Sequence, residues 1–520
     1  MLWLFVWGCV LVFVLWPVTA VLRESFLQDG ELSLAAWRGL FGKNWRVTLN
    51  SFSVAFSVTL ITTPLALLLA LKLLYCPGRA GRVLAGALVL STISPPFACS
   101  MAYLMLFGRR GLITWRLLGL EWNPYGFHGI VIMESLSLLG IASLLIAASF
   151  RQVDGALERA SMDLGATPLN TLMQVSIPLA LPGIGLAALL VFVRSLSDFG
   201  TPLFLGGAFQ VLASRAYTTL IGVGDFALAC AMNALLLIPA LVLLSLRRAG
   251  QKNYSPRLAQ SRSLVLTGWA HALCGAAGAG FILLQVLVYG MIFMGSVTKV
   301  WGVDFSLTSE HLASLWNFRG DSFARSVLCS LAAGIGGAVF GVVLARLIDQ
   351  TSPWLRRVAE TVSELPYLLP GTFFGVGYLL VSSSLPWEIP AGFLIGANCL
   401  FRQLSPSLKC AQAGLEQLNP ELELAAHDLG GGSLTVLKDI IFPSLRPFML
   451  VSFINSFSAS MMSTGPIIFL VSPYAKVASI ELFDSINSNE YGAAAAMASL
   501  LILAVLAVNA AAWFAAERRR

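Results

Sequence analysis

Long apolar stretches recur along almost the whole chain, and they restrict the possible fold more than any other feature. A helix that crosses a bilayer needs about 20 mostly apolar residues, and the sequence contains twelve stretches near that length. Only 11% of the residues are charged, whereas a soluble domain carries roughly 25%. A lipid-exposed backbone must satisfy its own hydrogen bonds, which favours helices for long apolar runs. The sequence therefore predicts an all-α membrane protein with about twelve transmembrane helices.

A polar segment divides the twelve predicted spans into two sets of six. The predicted spans are 2–22, 47–75, 83–107, 127–150, 182–205 and 226–246, followed by 264–294, 323–348, 358–381, 389–404, 447–471 and 491–516. The polar segment 247–262 is predicted to be a cytoplasmic linker between a first half, 1–246, and a second half, 263–520. The first stretch resembles a signal peptide, but it lacks a basic start and is long for one, so we expect it to be retained.

Basic residues mark the two faces of the membrane. Most of the 33 Lys and Arg lie in gaps between apolar runs, and the side that carries both chain ends holds more of them. Cytoplasmic loops are enriched in Lys and Arg, so both termini are predicted to be cytoplasmic. The formal charge of +7 then reflects membrane topology, and we expect no nucleic-acid binding.

One polar motif occurs twice at a constant spacing. Residues 157–165 read LERASMDLG and residues 422–430 read LELAAHDLG, and two prolines follow each copy at matching distances. Every matched position is offset by 265 residues. A single copy would fit a structural hairpin equally well. Two copies in corresponding positions of two six-span halves indicate a contact with a two-fold, motor-like partner.

The repeated segment has the residues of a bent pair of short helices. Glycine readily adopts a positive φ and commonly ends a helix. Gly165 and Gly430 are therefore predicted to end helices that begin near Gly155 and Pro420.

A second helix is predicted to follow each bend. Thr167 in the first copy and Ser433 in the second are predicted to cap it. Pro178 and Pro443 are predicted to stop it before the chain enters the membrane, because proline lacks the amide hydrogen that a helix needs. The product would be a rigid elbow on the cytoplasmic face.

These residues resemble the E-A-A loop of permease subunits in binding-protein-dependent ABC importers. The resemblance covers nearly the whole chain and is nearest to fused, two-half permeases of the ferric-iron, thiamine and phosphonate type. It implies two pseudo-symmetric six-helix halves, the type I importer permease fold, with each loop docking into an ATPase subunit. The implied ATPase-coupling residues are Glu158, Ala160, Ser161, Gly165, Pro178, Glu423, Ala425, Ala426, Gly430 and Pro443.

The chain departs from the family pattern at the usual glutamate of the loop. Arg159 and Leu424 occupy that position, and the acid lies one residue earlier in both copies. A salt bridge from the usual position to the ATPase is therefore in doubt, whereas the docking geometry is less affected.

A second motif, SDFGTP at 197–202, resembles the stretch that ends the fifth span of ferric-iron permeases. Charges inside a bilayer are costly and usually face a cavity or a partner. The predicted translocation path therefore includes Asp198, Gly200 and Pro202, together with Glu364 and Pro370 of a broken ninth span. The alternative for Asp198 is a structural acid that caps the end of a span.

The resemblance implies that the chain is a multi-pass protein of a bacterial inner membrane, in contact with lipid. It also implies two kinds of partner: two copies of a cytoplasmic ABC ATPase, and a periplasmic or lipid-anchored binding protein. The chain has no G-x-x-x-x-G-K-[ST] loop, so ATP is expected to be used by the partner and no cofactor by this chain. Neither catalytic residues nor a metal site are predicted. Ferric iron is the expected substrate, followed by thiamine or an organophosphonate. An ion-coupled secondary transporter, with acids near mid-bilayer, is the alternative class.

Overall fold

The computed structural model describes residues 2–28, 30–93, 95–251 and 264–517. Most of the predicted linker, 252–262, and the three C-terminal arginines lie outside the described residues. The described chain is mainly helical, as the sequence predicts, and it contains two short β-hairpins.

Helices α1 to α11 precede residue 252. They are Leu4–Glu24 (α1), Ala35–Phe41 (α2), Trp45–Tyr75 (α3), Arg79–Ser91 (α4), Pro96–Phe107 (α5), Phe127–Arg151 (α6), Gly155–Asp163 (α7), Pro168–Ser197 (α8), Gly200–Leu205 (α9), Leu212–Val223 (α10) and Phe226–Leu246 (α11). A π-helical segment, Leu112–Leu117, lies between α5 and α6.

Helices α12 to α22 follow residue 263. They are Gly268–Val297 (α12), Glu310–Asp349 (α13), Pro353–Leu368 (α14), Gly371–Ser383 (α15), Ala391–Arg402 (α16), Leu404–Leu415 (α17), Pro420–Asp428 (α18), Ser433–Ser444 (α19), Arg446–Met461 (α20), Ala478–Asn487 (α21) and Tyr491–Glu517 (α22).

The two hairpins are short and antiparallel. In the first, Leu27–Gln28 (β1) pairs with Glu31–Leu32 (β2). In the second, Thr298–Val300 (β3) pairs with Asp304–Leu307 (β4) through an irregular register.

Eight described helices are long and apolar enough to cross a membrane, and two bent helix pairs raise the number to at most ten. The predicted count of twelve is therefore not confirmed. Two predicted spans are broken at proline: Pro95 precedes α5 in the third, and Pro370 precedes α15 in the ninth. Helices α14 and α15 meet at 106°, because proline cannot continue the hydrogen-bond ladder of the preceding helix. The tenth predicted span is the 12-residue α16.

The first compact unit combines residues 1–37, 225–234 and 309–520. Helix α1 packs into this unit through Val6, Val10 and Val14, which recur every four residues along one buried face. The ring of Phe13 stacks on Phe401 with centroids 4.8 Å apart. Phe13 also accepts a hydrogen bond at its carbonyl oxygen from the Tyr378 hydroxyl at 2.9 Å. The first span thus packs with helices of the second sequence half.

The second compact unit combines residues 38–224 and 235–308. Helix α12 packs into it, and the Tyr289 hydroxyl donates to the Leu90 carbonyl oxygen at 2.8 Å. Just before α12, the Leu266 amide donates to the Tyr75 carbonyl oxygen at 3.0 Å. The first span of each sequence half therefore belongs to the compact unit that holds most of the other half.

Candidate functional site: two matched elbows

Two helix–bend–helix segments, 154–178 (the first elbow) and 419–443 (the second elbow), have matching starts. In the first, the Asp154 carboxylate accepts from the Ala156 amide at 2.9 Å. In the second, the Asn419 side-chain oxygen accepts from the Glu421 amide at 3.1 Å. Asp and Asn are preferred helix N-caps. The duplication therefore begins at least three residues before the motif, and the common offset could have revealed it in the sequence.

Both bends have the backbone that the sequence predicts. Gly165 has φ of 91° and Gly430 has φ of 81°. Just after each bend, an amide donates five residues back, from Ala166 to Ser161 at 3.1 Å and from Gly431 to Ala426 at 2.8 Å. This is the Schellman arrangement, in which the glycine permits the chain to reverse over the helix end. The predicted helix ends are confirmed.

The caps of the second elbow helices differ between the copies. Thr167 accepts from the Asn170 amide at 3.3 Å, which confirms the first predicted cap. The cap predicted at Ser433 is wrong. Gly432 occupies that position with extended backbone, and α19 begins at Ser433 without a side-chain cap bond.

The prediction that Pro178 and Pro443 stop these helices is also wrong. Helix α8 continues through Pro178 to Ser197, and α19 continues past Pro443 to Ser444. A π-helical turn precedes each proline, at Leu172–Ser176 and Leu437–Ile441. Both prolines lie in the first turn of the α-helical segment that follows, where no amide hydrogen is required. In the second copy the bend, 74°, comes between α19 and α20.

The outer surface of each elbow presents exposed leucine. Leu164 and Leu429, directly before the two glycines, are each 90% exposed. Leu157 and Leu422 are also exposed, and Leu424 occupies the usual acidic position with its side chain exposed. Ala160 and Ala425 are exposed beside them, whereas Ser161 and Ala426 are half-buried. Small residues flanked by exposed leucines form a surface suited to close contact with another protein.

The acid of each elbow points inward. Glu158 is fully buried, and its Oε1 accepts from the Tyr75 hydroxyl at 2.6 Å and from the Ser176 hydroxyl at 2.9 Å. Glu423 is half-buried and forms an ion pair with Arg346 at the end of α13. The sequence analysis missed these partners: Tyr75 and Arg346 lie 83 and 77 residues away in the chain, and Ser176 lies in the first elbow itself.

The residues of the SDFGTP motif lie at a helix junction. Helix α8 ends at Ser197, and the Asp198 carboxylate accepts from the Gly200 amide at 2.9 Å at the start of α9. Gly200 and Pro202 are buried. Gly200 packs so closely on Phe97 that a Cβ would overlap its ring. Asp198 thus caps this junction, and its predicted place in the path stays a prediction.

A second carboxylate lies near this junction. Glu134 of α6 is 1% exposed and accepts from the Ser195 hydroxyl through Oε2. Its Oε1 makes no hydrogen bond with the described residues. Ser195 lies three residues before Asp198, so both acids lie near the end of α8. Glu134 is therefore a second acid at this junction, in addition to Asp198 of the SDFGTP motif.

The two other predicted path residues lie in the first compact unit. Glu364 in α14 is buried and pairs with the Lys409 ammonium at 2.8 Å. Pro370 is buried at the break before α15. Since Lys409 already balances the Glu364 charge, this acid contributes a weaker field than an unpaired carboxylate would.

One short helix in each unit is capped by a serine from a long span. The Ser51 hydroxyl of α3 accepts from the Leu212 amide at 2.6 Å, at the start of α10. The Ser326 hydroxyl of α13 accepts from the Ala478 amide at 2.7 Å, at the start of α21. The same device therefore occurs in both units, from a serine near the start of α3 and one in the middle of α13.

Ion pairs lie beside α21. Arg319 near the start of α13 pairs with Glu490 at 2.8 Å. In the loop before α21, a hydrogen bond from Lys476 to Asp484 raises the pKa of the lysine. Within the described residues, no group of three or more His, Cys, Asp or Glu could hold a metal ion.

Two comparisons place these features among known proteins. Residues 337–519 match the family described as the inner membrane component of binding-protein-dependent transport systems. The matched region includes the second elbow. The helical membrane fold and the second elbow thus occur together with a domain of this transport family in residues 337–519.

Relatives cover the rest of the chain. The ferric transport system permease protein FbpB of Actinobacillus pleuropneumoniae is 28% identical over 519 residues, which cover 95% of this chain and 75% of the relative. A putative ferric transport permease, FbpB 1 of Haemophilus influenzae, is 28% identical over 89% of this chain and 77% of its own. A putative 2-aminoethylphosphonate permease, PhnU of Salmonella typhi, is 27% identical over 45% of this chain and 84% of its own. The chain is therefore similar over most of its length to ferric transport permeases.

Proposed function

We propose that this permease carries ferric iron across a bacterial inner membrane, with ATP hydrolysed by two cytoplasmic ATPase subunits. The observation that carries the proposal is the end-to-end similarity to a ferric transport permease over 519 residues. A periplasmic or lipid-anchored binding protein would deliver the iron. ATP would be bound by the partner, and this chain would need no cofactor of its own.

The two elbows support the docking of ATPase subunits. Both elbows have a side-chain cap at the start, a glycine at the bend and an exposed leucine before it, at positions offset by 265 residues. Two copies of one partner can therefore contact them in the same way. The excess of Lys and Arg in the loops on one side of the predicted topology supports a cytoplasmic position for the elbows. Both chain termini would lie on that side.

The Asp198 junction supports a path for a cation. Asp198 follows the last residue of α8 and Glu134 accepts from Ser195 in its last turn, so two carboxylates lie near this helix end, where buried charge is otherwise costly. Gly200 and Pro202 shape the backbone there, and Glu364 and Pro370 would line the path elsewhere. Oxygen ligands suit a hard cation, and a weak site would allow it to leave again.

Reconstitution tests the proposal. The permease, its ATPase subunit and its binding protein are placed in liposomes with ATP inside, and uptake is measured with radioactive ferric iron on the binding protein. We expect iron uptake that requires ATP, and ATP hydrolysis that rises when iron-loaded binding protein is added. Uptake without ATP, driven by a proton gradient, would instead establish an ion-coupled secondary transporter.

The same liposomes distinguish the other substrates of this class. Thiamine and 2-aminoethylphosphonate, each with its own binding protein, are offered in place of iron. The match to the phosphonate permease covers only 45% of the chain, so we expect neither to stimulate hydrolysis. Stimulation by one of them and not by iron would refute the iron assignment while leaving the importer class intact.

A further inference from the structure

We propose that α3 and α13 are the elements that couple the elbows to the rest of each compact unit, and that Glu158 and Glu423 are the positioning residues through which they do so. The inference rests on the proposed function, because it assumes that ATPase subunits dock on the elbows. It concerns how a movement of the elbow reaches the membrane.

The first step is that Glu158 and Glu423 both point into the protein. Glu158 is fully buried, so it is unavailable to a docked protein. Glu423 is held by Arg346 within the same compact unit. Leu164 and Leu429 lie on the exposed side instead. Each elbow therefore has an outer face for a partner and an inner acid that attaches it to the permease.

The second step is what the acids attach to. Tyr75 is the last residue of α3, and Arg346 lies in the last turn of α13. Both helices are the second predicted span of their sequence half. Tyr75 and Arg346 do not occupy matching positions within those helices, so the two halves reach the same connection with different side chains.

The third step is the contact that each of these helices makes far from its elbow. Ser51 of α3 caps α10, and Ser326 of α13 caps α21. At 1.5 Å per residue, the rise from Ser51 to Tyr75 is about 36 Å and that from Ser326 to Arg346 is about 30 Å. Each helix thus joins an elbow at one end to a short helix near the opposite membrane face.

The two connections differ in chemistry. The first is made by neutral hydroxyl groups around a buried carboxylate, from Tyr75 and Ser176. The second is an ion pair with both side chains part-exposed, 21% for Arg346 and 16% for Glu423. A charge reversal can therefore break the second connection, and a second reversal can restore it.

Charge reversal at the second elbow is the decisive test. Arg346→Glu, Glu423→Arg and the double variant are reconstituted with the ATPase subunit and iron-loaded binding protein, and iron transported per ATP hydrolysed is measured. We expect each single variant to lower this ratio at least fivefold, and the double variant to return it to within twofold of wild type. The ATPase subunit should co-purify with all three variants, because the exposed face is unchanged.

Arg356→Glu is the matched control. Arg356 lies in α14 and pairs with Glu360 and, like Arg346, with Asp349, so its reversal disturbs the shared acid without removing either member of the Arg346–Glu423 pair. It undergoes the same change of charge, so the transport ratio should stay at the wild-type value. An equal loss in the control would show a general charge effect and overturn the inference.

The first elbow is tested by removing hydroxyl groups. Tyr75→Phe should lower the transport ratio about two- to fivefold without loss of ATPase binding, whereas Ser176→Ala removes a bond within the elbow itself and should lower it less. Tyr289→Phe is the control, because it removes a hydroxyl that donates to Leu90, a residue outside the elbow in the same compact unit.

The outcomes separate this inference from the proposed function. If the wild-type permease neither binds the ATPase subunit nor transports iron, the proposed function fails. If wild type transports iron and Arg346→Glu does so with an unchanged ratio, the coupling role of α13 is refuted. A loss that the double variant does not restore also refutes it, because the ion pair itself is then not what matters.

Discussion

Gly165 and Gly430 carry the strictest backbone requirement in the elbows. A Cβ at either position would meet open space, so the positive φ alone decides the cost of substitution. A residue with a Cβ in that conformation costs roughly 1–2 kcal/mol. We expect Gly430→Val to displace the docking surface and to lower ATPase co-purification severalfold while the chain still inserts.

Gly432 supplies the control for this substitution. It lies two residues on, also faces open space, and has an ordinary φ of −77°. Gly432→Val should therefore retain the ATPase subunit. Equal co-purification of the Gly430→Val and Gly432→Val variants, measured with a tag on the permease, would contradict the role of the bend.

Asp198 provides a second test at the scale of one residue. Asp198→Asn keeps an oxygen that can accept from the Gly200 amide, so the helix junction and membrane insertion should be preserved. The loss of charge should slow the uptake of a cation severalfold and leave an anionic substrate unaffected.

Asp198→Cys in a reconstituted permease should also react with a water-soluble thiol reagent, with a rate that changes when ATP is trapped. A thiol that is unreactive in every nucleotide state would make Asp198 a structural cap only.

At the scale of elements, the serine caps of α10 and α21 are the contacts most open to measurement. Ser51→Ala and Ser326→Ala would each leave a buried amide without its acceptor, which costs about 1–3 kcal/mol. We expect both variants to unfold in detergent at lower temperature than wild type. Ser53→Ala is the control, since its exposed hydroxyl bonds only to Asn50 one turn back. An unchanged melting temperature for Ser51→Ala and Ser326→Ala would show that other acceptors replace the serines.

The elements also show where sequence patterns mislead. Pro178 and Pro443 have the sequence context of helix stops, yet the helices continue through them. Proline cannot donate the helix hydrogen bond, and its ring clashes with the carbonyl group four residues back. A π-helical turn before the proline removes the need for that bond and makes room for the ring. Pro95 and Pro370 do interrupt their helices. The residue type is the same in all four cases, so the packing around each proline decides whether the helix ends.

At the scale of the whole molecule, each compact unit contains helices from both sequence halves. If a protease site is inserted within 252–262 and the purified permease is cut there, the two fragments should remain together in detergent. The reason is that α1 packs with the second half and α12 with the first. A tag on one fragment should recover the other in equal amount. Fragments that separate on cutting would contradict this packing.

The sequence by itself determined the membrane class, the duplication and the bends at Gly165 and Gly430, because these depend on composition, on repeated spacing and on local backbone preference. Only the tertiary structure decided which partners Glu158 and Glu423 take, how many helices span without a break, and which half each first span joins. Those outcomes depend on contacts between residues far apart in the chain. The sequence does not indicate which side chain a carboxylate will pair with, and an apolar helix can bury its surface equally well against several other helices. The packing of the whole compact unit therefore selects both the side-chain partners and the neighbouring helices.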